Sequence, residues 1–392
     1  MRYVRGLFKP KTLPISLLLL LRFRRKLILS LAGIIFATVL IHGQLGIRSS
    51  LFDSSISLFS DFAADIVMIN KSVVGSPSLR PFNKNRLALL YRYPEVLDVS
   101  SVRYGFVRWR YPLNHETRLA IMVGFNPRQK IFTNPEISRQ QSLLSSPDRI
   151  LYDRLSRREF GDVVASYLGR RPTFAFINDQ RVKIAGLIRV GTSFSYDASF
   201  LASEATYNSV RETSSSEVEI GLIKLSHEAN PSKFIETAAS ALPNDVKLYT
   251  LNQFLDLEVE YWDNSKPIGF VFGFNTVLGF AVGMLILYQI LYTDVSEHLS
   301  EFATMLALAH SSSRLKSIVF RQSLILTFAG YPVGYVLSLC LFKIISSFTG
   351  LSVRMSADRS IICFIIVFAM SSCSALLAMR KLGDADPIDL FD

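Results

Sequence analysis

Ser313 and Lys316 stand three residues apart, the spacing at which a lysine amine can serve as base for a serine nucleophile. No K-T-G accompanies them, and they sit directly beside an apolar span, so the pair is read as a chance match. Five histidines, His42, His115, His227, His298 and His310, are scattered without metal-ligand spacing, and no G-x-S-x-G is present. A phosphate cradle of the form G-x-x-x-x-G-K-[ST] is also missing, since no Gly-Lys pair occurs anywhere in the chain. The sequence therefore offers no catalytic set, no metal ligands and no cofactor site of its own. Any energy the protein uses must arrive from outside.

The elements that would receive that energy are apolar. Of the 392 residues, 49% are hydrophobic and 19% charged, a balance that suits neither an ordinary soluble protein nor an all-membrane one. A run of about 25 residues, Ile268 to Tyr292, carries no charge and is long enough as a helix to cross roughly 30 Å of hydrocarbon. Directly after it, Val295, Leu299, Phe302, Leu306 and Ala309 recur at helical spacing while Asp294, Glu297 and Glu301 crowd the first turns. Acids at the start suit the helix dipole, and Arg314 and Lys316 follow the end. This segment, 294–316, reads as an amphipathic helix at the cytosolic membrane surface.

Three further apolar runs complete a set of four spans: 27–47, 267–293, 317–346 and 359–380. The net charge of +11 is unevenly placed, with eight Lys or Arg and no acid in residues 1–47 against 27 basic and 24 acidic residues in 48–266. Basic residues collect in segments that stay in the cytosol, so residues 1–26 and the tail 381–392 are placed inside and nucleic acid is excluded as a partner. Ile15 to Leu21 is too short to span, and its closure by Arg22, Arg24, Arg25 and Lys26 reads as an interfacial helix rather than a cleaved leader. His42 and Gln44 fall near the outer end of the first span, where water or a partner helix would satisfy them; a proton relay is the competing reading. All three cysteines, Cys340, Cys363 and Cys373, lie in apolar spans, so no disulfide framework is expected.

Residues 48–266 change character. Short apolar runs at 66–70, 119–125, 182–190 and 218–225 read as strands, and helical patterns at 83–93, 135–144 and 231–242 lie between them. A mixed α+β domain of two possible subdomains, with an internal seam near Arg139 to Pro172, is expected on the extracytoplasmic side, and the 347–358 connection faces the same side. Within the spans, Gly269, Gly273, Gly279 and Gly283 share an arc of about 120°, a face on which helices can approach closely. Gly330 and Gly334 flank Pro332, where a kink is expected.

Over nearly its whole length the chain resembles the DevC-like permeases, cyanobacterial members of the MacB/FtsX/LolC class of ABC exporters. The resemblance is carried by LAGIIFATVLIHGQLGIRSSLFDS at 31–54, RILYDRLSRREFG at 149–161, ALPNDVKLYT at 241–250, YWDNSKPIGF at 261–270, YQILYTDVSEHLSEFATMLALAH at 288–310 and the ending MRKLGDADPIDLF. It implies a plasma (inner) membrane protein with four transmembrane helices, a large α+β periplasmic domain between spans 1 and 2, and both termini cytosolic. It further implies a homodimer working with two copies of a separate ABC ATPase that binds the ATP, a periplasmic adaptor (a membrane fusion protein) and an outer-membrane channel protein. The ATPase-coupling residues would be Glu297, Glu301, Phe302, Met305, Leu306 and Ala309, and glycolipid is the expected cargo of the DevC branch. Leu306, Ala309 and Gln322 stand where such permeases usually carry a basic residue, a glycine and a glutamate. The alternative is a membrane-anchored sensor whose outer domain binds a ligand and whose surface helix signals inward.

Overall fold

The computed structural model describes residues 24–112, 116–170, 173–264, 267–299, 304, 312–349, 353 and 355–380. Two compact units emerge, one from Met1–Arg48, Phe270–Ile345 and Val353–Asp392, the other from Ser49–Gly269 and Ser346–Ser352.

Among the described residues, four helices are long and apolar enough to cross a membrane: Leu27–Ser60, Ile268–Glu297, Lys316–Phe348 and Ala357–Ala378. They belong to helices α1 (Arg24–Ser60), α8 (Ile268–Glu297), α9 (Ser312–Thr349) and α10 (Ala357–Ala378). Helix α1 does not stop near residue 47, where the apolar run ends. The following IRSSLFDSSISLFS contains neither Gly nor Pro, and its Phe52, Leu58 and Phe59 are buried, so the helix is carried on by packing. Likewise α8 runs through 293 and takes in Asp294 to Glu297, the first turn assigned from sequence to a separate surface helix. Helix α9 is continuous through Pro332.

The second unit is built on a nine-stranded sheet in the order β11-β1-β10-β3-β4-β8-β5-β7-β6. Its strands are β1 (Ile66–Asn70), β3 (Val96–Arg110), β4 (Thr117–Phe125), β5 (Arg149–Asp153), β6 (Phe174–Ile177), β7 (Gln180–Ile188), β8 (Ser199–Ser203), β10 (Ile220–Leu225) and β11 (Val246–Thr250). A two-residue pair, β2 (Phe82–Asn83) and β9 (Glu217–Val218), stands apart. The 15-residue β3 changes partner at Val102: residues before it pair with β10, residues after it with β4. Because Trp109 and Arg110 also pair with Ile177 and Phe176 of β6, strands β3-β4-β8-β5-β7-β6 close into a ring. The seam expected at 139–172 lies inside this ring, whereas the change of partner is on β3.

Side-chain alternation explains the burial. Val67 and Ile69 enter one core, with Leu58, Phe59 and Phe254, while Ile66 and Met68 enter another on the opposite face, with Phe234 and Ala238. A third core joins residues of the six ring strands, where Trp109 stacks 4.5 Å from Phe200 and donates from Nε1 to the Phe160 carbonyl at 3.1 Å. Helix α6 (Pro231–Ala239) starts where it does because Asn230 accepts from the N–H groups of Ser232 and Lys233 and Pro231 occupies the first turn. Helix α7 (Leu251–Asn264) buries Phe254, Glu258 and Trp262 along one face.

Candidate functional site

The helical unit is organised around α1. Ile34, Ala37 and Ile41 are wholly buried against Leu287 and Leu291 of α8, Leu326 of α9 and Cys363, Val367 and Met370 of α10. Small residues set these approaches. A Cβ on Gly283 would stand 2.7 Å from the Ala37 Cβ and crowd the Met370 sulfur; one on Gly330 would stand 2.9 Å from Ile34 Cγ2; one on Gly334 would stand 2.7 Å from the Thr38 Cβ. For Gly279 the nearest atom, Ile41 Cγ1, is at an ordinary 3.8 Å. Gly273 is different, since a Cβ there would meet nothing within 4 Å, and Gly269 lies against Asp263, six residues earlier in the chain. Two glycines of α1 that spacing did not single out, Gly33 and Gly46, abut Ile286 and the Phe342 ring.

Among these packed helices is His42, which is 0% exposed and is satisfied by partner helices rather than by water. Its Nδ1 lies 3.0 Å from the Thr38 carbonyl oxygen and 3.1 Å from Cys363 Sγ, and its Nε2 lies 3.4 Å from Tyr331 Oη. Tyr331 donates to the Ser360 carbonyl at 2.6 Å. One turn up from Thr38, the imidazole thus links α1 to α9 and α10, and polar groups among apolar spans are stable only when so partnered. A second cross-helix bond runs from Ser374 Oγ to the Met284 carbonyl at 2.9 Å, joining α10 to α8. Replacing His42 with Ala should cost about 2–3 kcal/mol through the vacated volume. A lowered thermal midpoint of the detergent-solubilised chain would register it, whereas an unchanged midpoint would show that the linkage carries no weight.

In the large domain, the buried carboxylates are structural. Asp153 accepts from the backbone N–H groups of Leu155, Val190 and Gly191 and from Ser199 Oγ. Burial pushes its carboxyl above the usual range, and those four donors oppose the shift. Glu219 is also raised by burial, against the opposing charge of Arg103, whose Nε is 3.2 Å away. Among the described residues, no group of three or more His, Cys, Asp or Glu is placed to hold a metal. Ser313 and Lys316 are both exposed on the first turns of α9.

Residues 273–387, which cover α8 from Gly273 onward, α9 and α10, match the family model described as FtsX-like permease C-terminal. The chain carries an FtsX-like permease domain. No curated protein matches the sequence. Among solved structures, the chain is similar to the periplasmic region of MacB from Actinobacillus actinomycetemcomitans, at 11% identity and a TM-score of 0.34, over 50% of this chain and 92% of that one. It is similar also to the extracellular domain of the noncanonic ABC-type transporter YknZ from Gram-positive bacteria (10%, TM-score 0.32, 47% and 98%). A domain of a permease protein from Porphyromonas gingivalis gives 14%, a TM-score of 0.32, and 49% and 90%.

Within the permease domain, Glu297 closes α8 and is exposed. Glu301, Phe302, Met305, Leu306 and Ala309 lie outside the described residues, as do the interfacial segment at 15–21 and the tail at 381–392. Gln322, noted from sequence, is buried on α9 of the permease domain. Tyr331 and Ser374 do not stand out in the sequence, and Cys363 stands out there only as a cysteine within a span. A polar or ionisable residue inside an apolar run was the available signal, but their partners lie on other helices, and spacing along one helix cannot show that.

Proposed function

We propose that this chain is the permease subunit of an ABC-type exporter of the MacB/FtsX class, transmitting motion from a separate ATPase through its four spans to a large periplasmic domain. The observation that carries the reading is the FtsX-like match over 273–387, joined to a large mixed-sheet domain placed between the first and second apolar helices. The sequence holds no phosphate-binding loop, which fits a subunit that takes its energy from a partner carrying the ATP. In this reading two permease chains pair with two ATPase subunits, and Glu297, Glu301, Phe302, Met305, Leu306 and Ala309 meet the ATPase. Glycines 279, 283, 330 and 334 let the spans slide as close neighbours. Cargo, a glycolipid on the DevC analogy, would leave through an adaptor and an outer-membrane channel. Both termini would be cytosolic in the inner membrane.

The test is Phe302→Asp, which places a charge on the apolar stripe of the 294–316 segment without touching a span. The variant should insert normally yet lose the ATPase in a pull-down from membranes, with export falling at least tenfold. Full recovery of the ATPase and unchanged export would refute docking at this segment.

A further inference from the structure

Between β4 and β5 the chain makes an open depression of about 470 Å³, lined by Lys130, Thr133, Pro135, Ser138, Arg139 and Gln141. Two of the six are cations and none is an acid. What decides its chemistry is which polar atoms are already engaged. Thr133 Oγ1 donates to the Asp61 carbonyl at 3.2 Å and Ser138 Oγ to the Asn134 carbonyl at 3.2 Å, so neither hydroxyl has a proton left to offer. Lys130, Arg139 and Gln141 have no side-chain hydrogen bond or ion pair among the described residues, and the two cations are exposed. Of the acids on the flanking segments, Glu136 gives Oε1 to Arg154 at 2.7 Å while its Oε2 is buried without a hydrogen-bond partner among the described residues, and Asp61 Oδ2 accepts from Asn134 at 3.3 Å. Its wall is held in place, because Ala63 donates to the Ile131 carbonyl at 2.8 Å, Thr133 donates to that of Asp61 at 2.7 Å, and Phe132 is 1% exposed.

We infer that this depression is a binding site for a compact oxyanion, a phosphate-type group held between the Lys130 ammonium and the Arg139 guanidinium, with Gln141 as a neutral donor. Eight N–H bonds can be offered by the two cations alone, and a guanidinium fork matches two oxygens of one tetrahedral anion. Both cations line the same depression, and two cations lining one volume raise the local concentration of an anion more than isolated ones do. The same chemistry would take a free phosphate or the phosphate of a lipid headgroup. This inference does not rest on the export reading, because the Phe302 experiment reads ATPase docking and this one reads a ligand on the large domain.

Full-length chain in a neutral maltoside would be titrated with inorganic phosphate and, separately, with soluble dihexanoyl phosphatidylglycerol, at low salt and then at high salt. Saturable binding of either, weakened at least tenfold in K130A/R139A and by salt, supports the site. Phosphate binding identifies a free anion, and binding of the lipid alone identifies a headgroup. Arg128→Ala, which removes an exposed cation outside the depression, should leave the affinity within twofold. Absence of saturable binding to both probes, or binding that the double variant leaves intact while its circular dichroism is unchanged, overturns the inference.

Discussion

Gly283→Leu should yield a chain that inserts but does not hold its helical bundle together. The substitution places four carbons where even the first has no room: a Cβ meets Ala37 at 2.7 Å and the Met370 sulfur more closely still. Ala37 and Met370 are 0% exposed, and they belong to α1 and α10, so three helices must part together. Met370 can swing its thioether, but Ala37 has no rotamer to change. Overpacking of this kind costs on the order of 3 kcal/mol, and in a membrane no gain in hydrophobic burial offsets it, because lipid is as apolar as leucine. The expected result is loss of a monodisperse peak in size-exclusion chromatography and a thermal midpoint that drops out of range, with Gly273→Leu as the matched control that changes neither. Equal behaviour of the two variants would show that the approach of α8 to α1 and α10 is not what holds the bundle.

Helices announced themselves in the sequence wherever one environment dictated the pattern. The four apolar runs were legible because hydrocarbon accepts no charge, and IVMIN at 66–70 was legible because both its faces are covered and all but its last residue are buried. Their ends were less so. Helix α1 outlasts its apolar run because Phe52, Leu58 and Phe59 are buried, a tertiary reason invisible to hydropathy. Helix α7 escaped notice because its buried stripe, Phe254, Glu258 and Trp262, has a carboxylate in the middle, which a hydrophobic pattern counts as a break. Closure of the ring by β3 and β6 rests on two residue pairs some 67 positions apart in the chain, and no local rule reports such a pairing. The site followed the same division. Gly283 stood out by its spacing along one helix and Gly330 and Gly334 by their place beside Pro332, but the same spacing grouped Gly273 with Gly283 although no neighbour lies within 4 Å of a Cβ there, since an arc on a helix does not say which part of it a partner covers. For His42, satisfaction by water or by a partner helix was legible from its distance along the span, but which partners was not, because Tyr331 and Cys363 are 289 and 321 residues away.

The carboxylate in the middle of that stripe gives the second large effect. Glu258 is 1% exposed and receives three hydrogen bonds: Ser76 N–H to Oε2 at 2.6 Å, Ser76 Oγ to Oε1 at 2.7 Å and Trp262 Nε1 to Oε1 at 2.8 Å. It ties α7 to a turn 182 residues earlier, where Gly75 also lies against the Tyr261 ring. Glu258→Ala strands three buried donors, and with each orphan costing about 1–3 kcal/mol the native state should lose on the order of 4 kcal/mol. Glu258→Gln removes the charge and turns one acceptor oxygen into an NH2 donor, but it keeps the other oxygen and the side-chain volume, so it should cost less than Ala. The pair also fixes a sign. Burial raises the Glu258 carboxyl above its ordinary value, with the Ser76 and Trp262 bonds opposing. A carboxyl raised on folding contributes most to stability below its unfolded value, about 4.3, and that contribution is lost as pH climbs through the folded value. Glutamine does not titrate, so the stability of the natural chain relative to Glu258→Gln should be greatest at acid pH and decline toward neutrality. Fluorescence of Trp262, a direct partner of the carboxylate, follows both unfolding and the local change. A difference that instead grew with pH would mean that the three donors outweigh desolvation, so that the ionised form is the one the native state prefers.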